Sequence, residues 1–424
     1  MIRRIIDKYK GSEFIKNVAV VMTGTAVSQL IAIAVTPILT RNYTPEDFGY
    51  YTTFIAIYTV LCSFATGKYE RVILLSKNEN DIVVVSSLGM AISIFFSTFL
   101  IILIYLSSLF FDLNSWGIDS LLMKWLYLIP FLLIIYAVNL IFLTFLNYKK
   151  NFKEISKSRV IKTFVSISVS LICIFFLKNM GGLILGELLG LLFSTIYLFP
   201  KLKFLFQFQN KITSQFSAVA SRYKDFPLYN IPSDLLNNSS AQVPVFFLTP
   251  IYGVQATGQY SLMKRMLDAP VTLLSSSILE VFRQKASEQY IAFGDCRELF
   301  VKTARNLALI SIVPFSVLMI FGTDIFAFIF GEEWREAGKF AGIFAVYYFF
   351  KFVSSPLSYM FYIAEKQKMD FLLHIYMFVS SLVIFYLPKL YSVSITETLW
   401  IYSINFVIIY LTYFILSYKY SKKC

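Results

Sequence analysis

Long apolar runs alternate with short polar segments along the whole chain. Twelve runs of mostly apolar residues fall at about 18–39, 50–66, 82–106, 122–146, 160–177, 181–199, 227–249, 258–279, 304–322, 340–363, 371–387 and 398–417. About 20 apolar residues in a helix cross the ~30 Å hydrocarbon layer of a bilayer, so each run predicts a membrane-spanning helix. The clearest is Ile82–Leu106, which has no charged residue inside it. The seventh and eighth are the least regular. Asp234, Lys264, Arg265 and Asp268 interrupt them, and Pro232, Pro244 and Pro270 are expected to break their hydrogen bonding. The series Gly181-Gly182 … Gly186 … Gly190 predicts close helix packing through small residues.

A one-dimensional repeat organises these spans. At a constant offset of 209 residues, Leu39/Leu248, Thr40/Thr249, Tyr43/Tyr252, Gly49/Gly258 and Tyr51/Tyr260 coincide without a gap. Both copies join an odd-numbered span to the next. The expected architecture is an all-α polytopic membrane protein with about 12 transmembrane helices in two six-helix lobes. Residues 1–200 form the first lobe, 201–226 a cytoplasmic linker and 227–424 the second lobe. Parallel repeats of this kind belong mainly to transporters.

Composition narrows the function classes. Of 424 residues, 57% are hydrophobic and only 15% charged, against about 25% charged in a soluble domain. That excludes an ordinary soluble enzyme and a disordered chain. The four cysteines, Cys62, Cys173, Cys296 and Cys424, are far apart, and His374 is the single histidine. Neither a disulfide framework nor a metal centre is expected, and no cofactor. No phosphate-binding loop or Ser-His-Asp set is present, which argues against an enzyme. The first apolar run is long and lacks a small-residue cleavage site, so no cleavable signal peptide is expected.

The net charge of +13 first raises nucleic acid as a partner. Its distribution removes that reading. With the N-terminus placed in the cytoplasm, most Lys and Arg fall on cytoplasmic segments, among them Arg3, Arg4, Lys149, Lys150, Lys153, Lys157, Arg159, Lys201 and Lys203. The outer segments hold only Arg41, Lys124, Lys178, Arg335, Lys339 and Lys389. This asymmetry predicts an even number of spans and two cytoplasmic termini. The stretches 200–226 and 280–303 are amphipathic and are expected to lie along the cytoplasmic membrane face.

The segment Gly24-Thr25-Ala26 … Gln29 … Pro37-Ile38-Leu39-Thr40-Arg41-Asn42-Tyr43-Thr44-Pro45-Glu46-Asp47-Phe48-Gly49 resembles the opening of bacterial oligosaccharide flippases. Ala65-Thr66-Gly67-Lys68-Tyr69-Glu70, followed by Val72-Ile73-Leu74-Leu75, does so too. These are the Wzx-type O-antigen and capsule "polysaccharide biosynthesis" transporters of the MATE-like MOP superfamily. The resemblance implies movement of undecaprenyl-diphosphate-linked oligosaccharide from the cytoplasmic to the outer leaflet of the bacterial inner membrane. It also implies membrane lipids and a polysaccharide polymerase as partners. A small-molecule exporter of the same superfamily is the first alternative. A membrane-embedded glycan polymerase or transferase is the second, but it needs a large outer loop that is missing.

Within the opening motif, Pro37 is expected to end regular hydrogen bonding near the outer edge of the first span. Thr44 is expected to cap a short helix starting at Pro45, and Gly49 to allow close helix approach. Pro37, Thr40, Tyr43, Pro45, Gly49, Lys68 and Glu70 are thus candidates for gating or lobe contact. The alternative is that they only shape a tight turn.

Ionisable residues inside spans cost about 2.5–3.5 kcal/mol each on insertion scales, so they face partners or a cavity. Here they are Glu187, Asp234, Lys264, Arg265, Asp268, Lys351 and His374. Lys264, Arg265 and Lys351, with Arg41 at the outer rim, are candidate contacts for a diphosphate or an anionic sugar. An internal ion-pair network is the alternative, and Lys264 and Asp268 are spaced to pair along one helix face. Asp234, Asp268 and Glu187 are candidates for coupling to H+ or Na+. Asp234 lies in the polar run Ser233–Ser240, which is costly unless it lines water. His374 is expected at an interface or in a hydrogen bond rather than in a proton shuttle. Tyr and Trp are expected mainly in interfacial belts and packing.

Overall fold

The computed structural model describes residues 23–76, 79–110, 120–177, 179–202, 205 and 212–422. Within the described residues, all twelve predicted spans fall on helices. They lie on α1 (Thr23–Thr40), α2 (Pro45–Leu61), α3 (Glu79–Phe110), the pair α4 (Ser120–Leu126) and α5 (Ile129–Tyr148), α6 (Phe152–Cys173) and α7 (Gly181–Leu202). A short helix, α8 (Ile212–Arg222), precedes α9 (Ile231–Tyr252), α10 (Val254–Phe293), α11 (Arg297–Phe330), α12 (Arg335–Leu357), α13 (Met360–Ile363), α14 (Gln367–Tyr391) and α15 (Ile395–Tyr420).

Among the described residues, eight helical segments are long and apolar enough to cross a membrane. The other four expected spans are α2, α6, α9 and α10, which are shorter or more polar. These helices carry Lys162, Asp234, Lys264, Arg265 and Asp268, or lead into Lys68 and Arg71. Large apolar side chains such as Phe95, Phe175, Ile320 and Phe328 stand exposed, as lipid-facing residues do.

The chain divides into two compact units. One comprises Met1–Tyr43 with Tyr50–Gln242, the other Thr44–Gly49 with Val243–Cys424. The division falls inside α9, beyond the 201–226 segment. The N-terminal half of α9 is bound to the first unit through Asp234 and through Asn238, whose Nδ2 donates to Ser63 Oγ at 2.9 Å.

In the first unit α5 is central, with Leu132, Leu133, Ala137, Ile141 and Phe142 fully buried. α6 and α7 lie close together where Gly186 and Gly190 face α6. A Cβ on Gly190 would sit 2.6 Å from the Lys162 carbonyl oxygen. The predicted small-residue packing of α7 is therefore present. On α8, Phe216, Val219 and Ala220 pack on the core around Tyr69, Val72 and Ile73.

Several local expectations are also corrected. Pro37 does not end α1, which runs on to Thr40. Proline lacks a donor, but one turn from a helix end its neighbours can still be satisfied; the Thr40 hydroxyl donates to the Pro37 carbonyl at 3.2 Å. Thr44 does act as a cap, its Oγ1 accepting from Asp47 N at 3.2 Å. The helix it caps is not short, however, because it continues as α2 to Leu61. Pro244 and Pro270 lie within α9 and α10, both assigned as continuous helices. α10 spans 40 residues, about 60 Å at 1.5 Å per residue. Most of the stretch 280–303 belongs to it and to the start of α11, not to a separate surface helix.

The repeat has a structural counterpart within the second unit. Pro45 and Val254, which start α2 and α10, are themselves 209 residues apart. A Cβ on Gly49 would lie 1.9 Å from the Val254 carbonyl oxygen, and one on Gly258 would lie 1.7 Å from that of Pro45. The contact is reciprocal: each repeat-related glycine meets the other copy's first helical residue, as across a local two-fold axis. Phe48 packs edge-on against the fully buried Trp334 at 5.0 Å. Gln259 holds the same region, donating to Glu333 O at 2.6 Å and accepting from Ala337 N at 2.9 Å. The paired tyrosines behave alike, each in its own unit. Tyr43 donates to Ser170 O and Tyr252 to Val393 O, both at 2.7 Å.

Outside the spans, Glu154 near the start of α6 gathers Lys201, Tyr197 and Lys157. The Lys201 bond is the largest cause that lowers its carboxyl, to about 2, against the opposing effect of burial. A folded-state value below the unfolded one stabilises the fold at pH above about 4.5, and this contribution is lost as pH falls through the folded value. Glu154→Gln should therefore lower the melting temperature at pH 7, with the difference from wild type closing towards pH 2. A constant difference across that range would show that the carboxylate's charge is not involved.

Candidate functional site

Two charged centres stand out among the described residues, one in each unit. The first is built by a break after α2. The chain turns at Gly67 and Lys68, with φ of 61° and 63°, and continues as a 3-10 stretch, Tyr69–Leu75. Glycine adopts this left-handed conformation freely, but for lysine it costs roughly 1–2 kcal/mol. The turn carries Lys68 and Arg71 to the N-terminal half of α9. Lys68 Nζ lies 2.9 Å and Arg71 Nη2 2.6 Å from the same oxygen, Asp234 Oδ2. Arg71 Nη1 donates to Asn230 Oδ1 at 3.0 Å. Lys68 and Glu70 are both buried, and Glu70 accepts from the Thr66 hydroxyl.

Glu187 and a polar layer lie elsewhere in this unit. Glu187 on α7 pairs with Lys162 on α6 at 2.7 Å. Asn139 on α5 donates to Ser194 Oγ at 3.2 Å and to Thr195 Oγ1 at 3.0 Å, and Ser158 shares a hydrogen bond with Ser194 at 2.7 Å. A buried amide satisfied this way specifies one arrangement of three helices.

The second centre joins α10 to α12. Asp268 Oδ1 accepts from Lys351 Nζ at 2.7 Å and from the Tyr348 hydroxyl at 2.9 Å. The Lys351 ammonium also stands 4.8 Å from the Tyr348 ring centroid and 5.7 Å from that of Tyr347, within cation–π range. Lys264 and Arg265 are half-buried, one turn before Asp268 on α10. The partner of Asp268 is thus a lysine on another helix, as well as having Lys264 at helical spacing on its own. Farther along, His374 Nδ1 lies 2.9 Å from Asp370 O and 3.2 Å from the Tyr413 hydroxyl. His374 is hydrogen-bonded and exposed. Tyr413 donates to Asp370 Oδ1 at 3.0 Å.

Sequence reasoning and geometry divide here. Asp234, in the polar run Ser233–Ser240, is paired with Lys68 and Arg71, because the broken helix brings both back to α9. Arg71, Asn230, Lys162, Tyr348 and Asn139 were not singled out in advance. Arg71 sits three residues after Lys68 in the motif, a spacing that offered a signal. Lys162 lies at a span edge and reads as part of a basic loop. Arg41 is exposed in the turn after α1, and Cys424 lies outside the described residues.

The backbone is similar to solved transporters. A MATE family multidrug resistance transporter of the MOP superfamily, inward-facing, matches with TM-score 0.67 and 14% identity, over 94% of this chain and 97% of that one. The lipid II flippase MurJ, in an inward closed conformation, matches with TM-score 0.72 and 16% identity, over 95% of this chain and 87% of that one. At such identities the likeness establishes the fold alone, the all-α fold that these transporters share. No curated protein matches in sequence. A family profile described as polysaccharide biosynthesis protein matches residues 38–339. That match spans the first charged centre and α10 with Asp268, ends before Tyr348 and Lys351, and covers well over half of the chain; it places this multi-pass membrane protein in the polysaccharide biosynthesis protein family.

Proposed function

We propose that the protein is a transporter, not an enzyme, that flips an undecaprenyl-diphosphate-linked oligosaccharide, an O-antigen or capsule repeat unit, across the bacterial inner membrane. The observation that carries this reading is the family match over residues 38–339 on a MOP-type fold. The opening motif and the in-span charges support it. The lobes 1–200 and 227–424 alternate access to the two leaflets, with both termini in the cytoplasm. The polar headgroup crosses among charged side chains while the polyprenyl tail stays in lipid. Lys264, Arg265 and Lys351 supply cationic contacts to the diphosphate, and Arg41 meets the headgroup at the outer rim. Asp268, Asp234 and Glu187 are the carboxylates through which a H+ or Na+ gradient couples.

Deletion of the protein, followed by analysis of lipid-linked intermediates, tests this reading. Full-length lipid-linked repeat units should accumulate on the cytoplasmic leaflet. Short chains displayed outside would instead identify a polymerase defect. Unchanged intermediates, with increased sensitivity to small cationic compounds, would identify an exporter.

A further inference from the structure

The first charged centre has an unusual division of bonds. Two cations converge on one carboxylate oxygen, Asp234 Oδ2. The Arg71 fork is split: Nη2 goes to that oxygen and Nη1 to the neutral amide oxygen of Asn230. A guanidinium binds carboxylate or phosphate best through two parallel bonds to one anion. Here it makes only one bond to an anion. The Lys68 side chain is 8% exposed, that of Arg71 42% and that of Asp234 26%. One cation is therefore buried and fixed, and the other is accessible. Lys68 is held in a left-handed backbone conformation, and strain of this kind persists where the surroundings over-determine it.

The surroundings tie the centre to the linker. Tyr69, between Lys68 and Glu70, donates to Ala220 O of α8 at 3.3 Å. Asn230 closes a π-helical segment, Phe226–Asn230, that leads into α9. Such segments are uncommon and cluster at functional positions. Asn230, just before α9, and Asp234, in its first turn, are both bonded to Arg71, and Lys68 adds a second ion pair to Asp234. On the topology proposed above, the turn after α2 and the start of α9 lie at the cytoplasmic membrane boundary.

We propose that Lys68 and Arg71 form an anion cradle for a diphosphate, and that Asp234, with the Asn230 amide oxygen on the second arm of the fork, is its resident occupant, a carboxylate latch that an incoming diphosphate displaces. A diphosphate presents several anionic oxygens. It satisfies both arms of the Arg71 fork and the Lys68 ammonium together, which one carboxylate oxygen does not. Its arrival frees Asp234 from Lys68 and Arg71, and so releases one of the ties on the N-terminal half of α9 while the Asn238–Ser63 bond remains. The empty protein keeps its cations neutralised and α9 docked. This inference rests on the flippase reading for its ligand and adds to it a site at the cytoplasmic boundary and a displacement step.

The test uses the full-length protein in lipid nanodiscs and inorganic pyrophosphate as the first probe. Asp234→Asn keeps the side-chain shape and removes the competing charge, so it should bind pyrophosphate about tenfold more tightly than wild type. Asp234→Asn that binds no more tightly overturns the latch. Because that variant can loosen α9, Arg71→Gln provides an independent arm. It leaves the Lys68–Asp234 pair in place and should weaken pyrophosphate binding about tenfold or more; unchanged binding overturns the cradle. Nanodiscs carrying a long-chain polyprenyl diphosphate, compared with phosphatidylglycerol alone, identify the source. Competition with pyrophosphate by the polyprenyl diphosphate alone supports the lipid-linked ligand. Competition by neither overturns that assignment in favour of a soluble anion. Failure here is separable from failure of the flippase reading. Cytoplasmic accumulation of lipid-linked repeats on deletion, without tighter binding by Asp234→Asn, removes the latch and leaves the flippase. Tighter binding without accumulation does the reverse.

Discussion

Gly258→Ala is expected to cost about 3 kcal/mol or more of stability, at the upper end of overpacking effects, and to reduce the yield of folded protein sharply. The added methyl would lie 1.7 Å from the Pro45 carbonyl oxygen and 2.7 Å from its carbon. Both are backbone atoms, so no rotamer change relieves the overlap and one helix must move off the other. Gly49→Ala should behave alike, because its methyl would lie 1.9 Å from the Val254 carbonyl oxygen. The two substitutions open the same crossing, so the double variant should cost less than the sum of the single ones. Gly89→Ala is the control. Its methyl would meet Ile141 Cδ1 at 3.6 Å, an ordinary contact, and alanine improves helix propensity by about 1 kcal/mol. Thermal unfolding of the detergent-solubilised protein measures all four variants. Wild-type stability in Gly258→Ala would remove the close crossing from the account of the fold.

Neutralising Lys264 and Arg265 together, by Lys264→Gln with Arg265→Gln, is expected to abolish oligosaccharide transport while expression and membrane insertion stay normal. Charges at span depth oppose insertion, so their loss does not hinder it. The Asp268–Lys351 pair and its Tyr348 bond stay intact. Lys351→Gln should act differently. It leaves Asp268 in a partly exposed site without its lysine, which lowers stability as well as transport. Surface display of the polysaccharide, read beside thermal unfolding of each variant, distinguishes the two. Full display by the Lys264/Arg265 double variant would exclude that pair from the substrate path and leave it an internal charge network.

The legible part of this protein was whatever repeats along one dimension. The turn Thr44-Pro45-Glu46-Asp47 announced a helix start because capping depends on residues three apart. It did not announce the helix's length, since a single cap carries no information about the turns that follow. The prolines of α9 and α10 misled for a related reason. A proline's local penalty is predictable, but neighbouring helices and side chains can re-satisfy the freed groups in a membrane protein. Glu187, Asp234 and Asp268 were identifiable as costly in-span carboxylates, but their partners were not. Arg71 and Asp234 are 163 positions apart, and Lys351 and Asp268 are 83 apart. No periodicity links such positions.

By itself the sequence determined the helical spans, the uneven distribution of positive charge among the segments between them and the duplicated segment at an offset of 209 residues. Each follows from local hydrophobicity, from charge counted along the chain or from identity at a fixed spacing. Only the tertiary structure decided that Gly49 and Gly258 meet each other, that α9 is divided between two units, and that Asp234 neutralises Lys68 and Arg71. Those outcomes depend on distances of a few ångströms between remote segments. A turn of two left-handed residues, Gly67 and Lys68, redirects the chain and chooses which cation reaches which carboxylate.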